Sequence, residues 1–411
     1  MIINQVIKLI AIFILLTSFL LNAQNIEVKN LRTYSPASEI GFPVISSESP
    51  GIIIEFDIQS DFQPDMNIVF RYCDKSWKPL DNIFLLNTGK NIFYNIGFTK
   101  LPQTVSNADY HFQKSFPDAE GLVSFPFNGK WRYYITDAQD TSKVFADGKF
   151  YVVGAGIPLT VSVKNEELED KVYFPADLKK IFNITTSFTL PDELFPNYIS
   201  FIEIVENKKI DYPIVVDKNF NTNVRQYYWD GNRKFSFTAR DVRPGNEYRQ
   251  TDLRNSSKFI SNNVKAQFDG IESSRFFIQG GIDFNGGSQL TKYSDEYATY
   301  MNVKFAIRPP EEFGGEVFLV GAFNNWKLSI ESKMLNEGGL FTKTLQLKRG
   351  AYDYQYVTAD IINDEIKNAD WYYLEGNNWE TSNEYYIFVY YTDPNFGGYD
   401  RIIGYKKIIT K

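Results

Sequence analysis

Apolar and polar residues alternate with a period of two along most of this 411-residue chain. Ile52, Ile54, Phe56 and Ile58 alternate with Ile53, Glu55 and Asp57, and Trp131, Tyr133 and Ile135 with Arg132, Tyr134 and Thr136. Met301, Val303, Phe305 and Ile307 alternate with Asn302, Lys304 and Ala306, and Tyr352, Tyr354 and Tyr356 with Ala351, Asp353 and Gln355. A strand points successive side chains to opposite faces, so each run predicts a half-buried strand. Tyr385 to Tyr391 (YYIFVYY) is apolar on both faces and predicts a central sandwich strand. Turn residues separate the runs at 87–89, 127–129, 230–232, 336–339 and 396–398. Helical signals are few; Leu178 to Phe182 predicts a single turn or a short helix. The pattern describes an all-β protein of tandem immunoglobulin-like or early-set β-sandwich modules.

The length calls for two to four domains on a prior of roughly 100–200 residues each. The strand rhythm predicts three: 24–156, 157–296 and 297–411, with Gly154 to Pro158 as a hinge. Aromatic residues make up 17% of the chain, which strengthens the strand reading because Phe and Tyr favour strands. Residues 1–23 read as a secretory signal peptide. Lys8 is followed by the apolar stretch Leu9 to Leu21, and cleavage is expected between Ala23 and Gln24. No later run approaches the roughly 18 apolar residues of a membrane-crossing helix.

Without Lys8, the mature chain carries 42 basic and 50 acidic residues, a net charge of −8. Such a chain has little long-range attraction for nucleic acid, and none is expected as a partner. The one cysteine, Cys73, lies in a predicted strand and reads as a buried thiol. The one histidine, His111, rules out metal sites that need two imidazoles. No Gly-x-Ser-x-Gly elbow accompanies it, so it reads as a structural, hydrogen-bonded residue. No spacing singles out a catalytic carboxylate pair, and neither an enzyme nor a cofactor is expected.

Several short motifs stand out along the chain, and none is repeated. Val317 to Trp326 (VFLVGAFNNW) predicts a strand, a close backbone approach at Gly321, a turn at Asn324-Asn325 and a capping Trp326. This segment resembles the early-set sandwiches of carbohydrate-binding family 48. That leaves two readings of Trp326, a core residue or a platform for an α-glucan ring, with Trp371 and Lys327 as possible companions. Glu247 and Arg249 lie two apart and would share a strand face, predicting a buried network of Arg249 with Glu247 or Asp252. Asp283 to Gly286 predicts an Asx-type turn with Asn285 inside it and Gly286 at positive φ.

Taken in order, these motifs resemble the plug proteins of the bacterial type IX secretion system. The resemblance rests on Tyr72-Cys73-Asp74 with Trp77, Tyr110-His111-Phe112 with Phe116-Pro117-Asp118, and Asn128 to Trp131. It continues through Gly245-Asn246-Glu247-Tyr248-Arg249, Asp283 to Gly286, Glu375-Gly376, Glu380-Thr381 with Asn383, and Asp400 to Gly404. Residues 160–225 depart from the family's pattern. The resemblance implies a non-enzymatic periplasmic subunit, peripheral to the inner face of the outer membrane. It would close the channel of a large outer-membrane β-barrel translocon. An α-glucan-binding sandwich protein is the alternative. Most motif positions are expected to build the scaffold.

Overall fold

The computed structural model describes residues 26–168, 176–268, 270–275, 281–310 and 313–410. The signal-peptide segment, with Ala23 and Gln24, lies outside them. The described residues form six sheets stacked as three sandwiches, an all-β immunoglobulin-like architecture.

The first sandwich faces a sheet of Glu27–Tyr34, Ile52–Gln59, Tyr110–Phe116 and Thr99–Lys100 against one of Val44–Ile45, Val144–Val152, Gly129–Asp137, Met66–Cys73 and Ile92–Phe93. The alternation read from the sequence fills its core: Ile52, Ile54, Phe56 and Ile58 meet Phe70, Trp131, Tyr133 and Ile135. Cys73 is buried, and burial pushes its thiol up to about 12, so the thiolate nucleophile is scarce at neutral pH.

The second sandwich is discontinuous in sequence. One sheet holds Thr160–Glu167, Lys180–Thr189, Lys234–Val242 and Arg225–Trp229. The other holds Ile214–Asp217, Ile199–Glu206, Glu384–Asp393 and Tyr399–Ile409. Glu384–Asp393 is the doubly buried central strand, hydrogen-bonded between Ile199–Glu206 and the final strand. The turn expected near Leu178 is Ala176–Lys179, and Ile181 and Phe182 already belong to the following strand.

The third sandwich is inserted between these halves. One sheet contains Arg249–Asp252, Ser288–Leu290, Glu316–Gly321, Gly350–Ile362 and Glu365–Asp370. The other contains Asn263–Lys265, Glu272–Ser273, Tyr300–Arg308, Leu340–Lys348 and Leu335–Glu337. The strand pairings therefore divide the chain differently from the linear boundaries at 296 and 297. Arg249–Asp252, Asn263–Lys265, Glu272–Ser273 and Ser288–Leu290 pair within the third sandwich, and residues 384–409 return to the second. The reason is register. Ile199–Glu206 satisfies its ladder with Glu384–Asp393, a partner that local alternation cannot name.

Candidate functional site

Two features stand out where the sandwiches meet: a joint between the second and third, and a cleft walled by all three. The joint consists of the outgoing connector, residues 243–248, and the returning connector, residues 375–383. The Gly245 N–H donates to Asn377 Oδ1 at 2.9 Å, and Asn246 Nδ2 donates to the Glu375 carbonyl at 3.0 Å. Glu247 accepts the Ser382 N–H at 2.7 Å, and Asn383 Nδ2 donates to the Pro244 carbonyl at 2.6 Å. Asn207, from the second sandwich, donates to the Tyr248 hydroxyl and to Asn383 Oδ1. Side-chain amides satisfy the connector backbone that no ladder reaches.

Arg249 does not pair with Glu247 or Asp252. Its guanidinium meets Glu375 and Glu272, each at 2.8 Å. Glu247 precedes the strand, which begins at Arg249, so the two do not share a strand face. Asp252 instead pairs with Arg254 at 2.7 Å on the surface. Glu375 also accepts the Tyr356 N–H at 2.7 Å, tying the returning connector to the central strand of the third sandwich.

Trp326 forms the roof of this joint. It is only 1% exposed, its indole N–H donates to the Gly286 carbonyl at 2.8 Å, and its ring lies 4.4 Å from that of Tyr248. The strand Glu316–Gly321 delivers it through a short 3₁₀ turn, Ala322–Asn324, with Asn324 Oδ1 accepting the Gly321 N–H. A Cβ on Gly321 would come within 2.6 Å of the Asp353 carbonyl, which explains the glycine. Gly286 has φ +82, and a Cβ there would press on the Trp326 ring at 3.1 Å. Lys209 pairs with Glu206 at 2.9 Å and sits over the rings of Tyr248, Trp326 and Trp371 at 5.3, 6.0 and 5.1 Å. A sugar needs an open ring face to stack on, and the indole of Trp326 is enclosed.

Beneath Trp326 lie two carboxylates. Asp283 closes the Asx turn by accepting the Asn285 N–H at 2.7 Å and also accepts the Tyr248 N–H. Asp353 accepts the Phe284 and Gly286 N–H groups at 2.7 and 3.0 Å. Burial pushes Asp353 up to about 6, against its hydrogen bonds. Asp283 is also pushed up, by burial first and then by the charge of Asp353. The pair holds protons well above the usual carboxylate range.

Trp77 lies elsewhere. It is buried in the seam between the first and second sandwiches, 5.1 Å from Tyr151, with Lys130 over its ring at 4.8 Å. In this seam Lys130 meets Glu203 at 2.8 Å, and the Tyr151 hydroxyl donates to Glu203 at 2.8 Å. Tyr151 stacks on Phe388 at 4.2 Å. The seam between the first and third sandwiches repeats this chemistry. Lys348 meets Asp57 at 2.6 Å, the Tyr300 hydroxyl donates to Asp57 at 2.8 Å, and His111 Nδ1 lies 2.7 Å from the other Asp57 oxygen. His111 stacks on Tyr293 at 4.0 Å. Lys130 falls within the Asn128 to Trp131 motif, but no sequence motif singled out Glu203, Asp57 or Lys348. Charged residues at inward strand positions were the one available signal.

The cleft has a volume of about 260 Å³. The first sandwich contributes Arg32 and Arg132, the second Lys208, and the third Asn325 and Lys327.

No family model and no curated protein matches the chain. Among solved structures, a crystal structure of a hypothetical protein from Parabacteroides merdae covers 94% of this chain and 99% of its own, at 19% identity and a TM-score of 0.73. That likeness shows the shared fold over nearly the whole length. A 1.5-MDa bacterial ice-binding adhesin (9% identity, 94% and 96% coverage, TM-score 0.15) and the major pilin subunit of Bacillus cereus (8%, 94% and 95%, 0.09) superpose too poorly to carry an argument.

Proposed function

We propose that this chain is a non-enzymatic periplasmic subunit that plugs the translocon channel of the type IX secretion system. The observation that carries the reading is the convergence of the ordered motif residues. Gly245, Asn246, Glu247, Arg249, Asp283, Asn285, Gly286, Asn324, Trp326 and Glu375 are spread from residue 245 to residue 375, yet they assemble one joint. A plug must present a fixed outline to a wide rim, and this joint locks the inserted sandwich against its host. Reversible docking needs a polar rim with a few aromatic anchors. Phe84 and Phe396 supply one such pair: they stack at 5.7 Å and are 63% and 45% exposed.

Deleting the gene in a strain with an otherwise idle translocon tests the reading. A leaky outer membrane, restored to tightness by the intact chain, is expected. Unchanged entry of a normally excluded solute would count against it.

A further inference from the structure

The cleft walls carry more positive than negative charge, and its residues come from all three sandwiches. Its three carboxylates are each held by a cation of the wall. Glu39 lies 3.1 Å from Arg32, Asp147 lies 2.7 Å from Arg132, and Asp211 pairs with Lys149. Lys208 and Lys327 are then in excess. Among the described residues, the one hydrogen bond drawn by the Lys208 ammonium goes to a neutral group, the Gly41 carbonyl. Its nearest carboxylate influence, Glu384, is already paired with Lys407 at 2.5 Å. Arg32, whose guanidinium already meets Glu39 and, at 2.5 Å, Glu55, brings no spare charge but keeps a buried Nε donor without a hydrogen-bond partner among the described residues. Buried donors without acceptors are costly, and a cationic wall with spare donors is the reciprocal of an anion.

We propose that the cleft is a binding site for a small oxoanion-bearing molecule, one whose phosphate, sulfate or carboxylate group lies between Lys208 and Arg32. The volume of about 260 Å³ leaves room for the anion and a small organic body. Because the walls belong to three sandwiches, the ligand would clamp them together and stabilise the assembly by mass action. Burial of the Lys208 ammonium, opposed by Glu384 and reinforced by Lys407 and Arg32, lowers its pKa to about 7. Binding is therefore favoured on the acid side of neutrality, where this ammonium is charged.

The test is calorimetric titration of the mature full-length chain with sodium sulfate and, separately, sodium acetate, against sodium chloride at equal ionic strength. Sulfate does not titrate between pH 6 and 8.5. Saturable one-site binding of at least one oxoanion is expected, weakening roughly tenfold or more from pH 6 to 8.5. Sulfate alone would indicate a tetrahedral group, and acetate a carboxylate. Lys208→Met should abolish the binding. Lys208→Arg should keep it and flatten the pH profile, which also decides the matter if Lys208→Met fails to fold. No saturable heat with either anion, wild-type affinity in Lys208→Met, or an unchanged pH profile in Lys208→Arg would overturn the proposal.

Discussion

The two seams of the first sandwich use the same parts and differ in redundancy. Against the second sandwich, Glu203 is served by one ammonium, Lys130, and the Tyr151 hydroxyl, with the Tyr390 hydroxyl also facing it. Against the third, Asp57 is served by Lys348, Tyr300 and His111. Burial by itself would raise the Asp57 carboxyl, but the His111 hydrogen bond and the Lys348 charge outweigh it and hold it below the usual range. The surroundings differ as well. The Lys130 seam is lined by Phe42, Trp77, Tyr151, Phe201, Phe388 and Tyr390. The Lys348 seam has a smaller apolar cluster of Leu101, Val105, Ala108, Ala298 and Tyr300. The lesson is that an aromatic seam tolerates a sparse ion pair, whereas a seam with less apolar area carries a more fully partnered one.

Removing a cation separates the two seams most sharply. Lys130→Met leaves Glu203 buried with tyrosine hydroxyls and no cation, and a loss of about 3–5 kcal/mol is expected from urea unfolding. Lys348→Met leaves Asp57 with His111 and Tyr300 and should cost less. Equal losses would remove redundancy as the distinguishing property.

Trp326→Ala tests the joint rather than a seam. It deletes a buried aromatic and its bond to Gly286, and a cost of about 3–5 kcal/mol is expected in the same assay. A parent-like melting curve would mean that the indole does not hold the joint.

The pH response sets Asp57 against the Asp283–Asp353 pair. A depressed folded pKa gives stability that is present above the unfolded value, near 4, and lost as pH falls through the folded value. A raised one acts the other way: the native state holds the extra proton, so stability falls as pH rises from about 4 through about 6 for Asp353 and beyond for Asp283. The melting temperature should therefore fall by about 2–4 °C between pH 5 and pH 6.5, below the range where Lys208 titrates and acts the other way. A rising value would reverse the assignment of the cradle.

The smallest effect belongs to the surface. Arg254 and Asp252 have side chains 40% and 45% exposed, and Arg254→Ala should cost about 0–1 kcal/mol. A loss as large as that of Lys130→Met would show that burial does not govern these pairs.

Much of the fold was legible because alternation is local. The strands at 52–59, 129–137, 300–308 and 350–362 follow it directly, as does the doubly buried strand at 384–393. The insertion was not legible, because pairing partners such as Ile204 and Ile387 are chosen by register across the intervening sandwich. The same limit applies to the joint. Arg249 and Glu375 each lie in a recognisable motif, but they are separated by 126 positions, and spacing pointed to nearer acids. The Asx turn of Asp283 and the positive φ of Gly286 were readable because both are settled within four residues.

Affinity capture of the tagged mature chain from outer-membrane extracts, scored for co-purification of a very large β-barrel protein, tests the plug reading most directly. Retention of such a barrel by the intact chain is expected, with clear loss in a Phe84→Ser, Phe396→Ser double variant that melts like the parent. Capture that leaves every large barrel in the unbound fraction, under conditions where the chain stays folded, would contradict it.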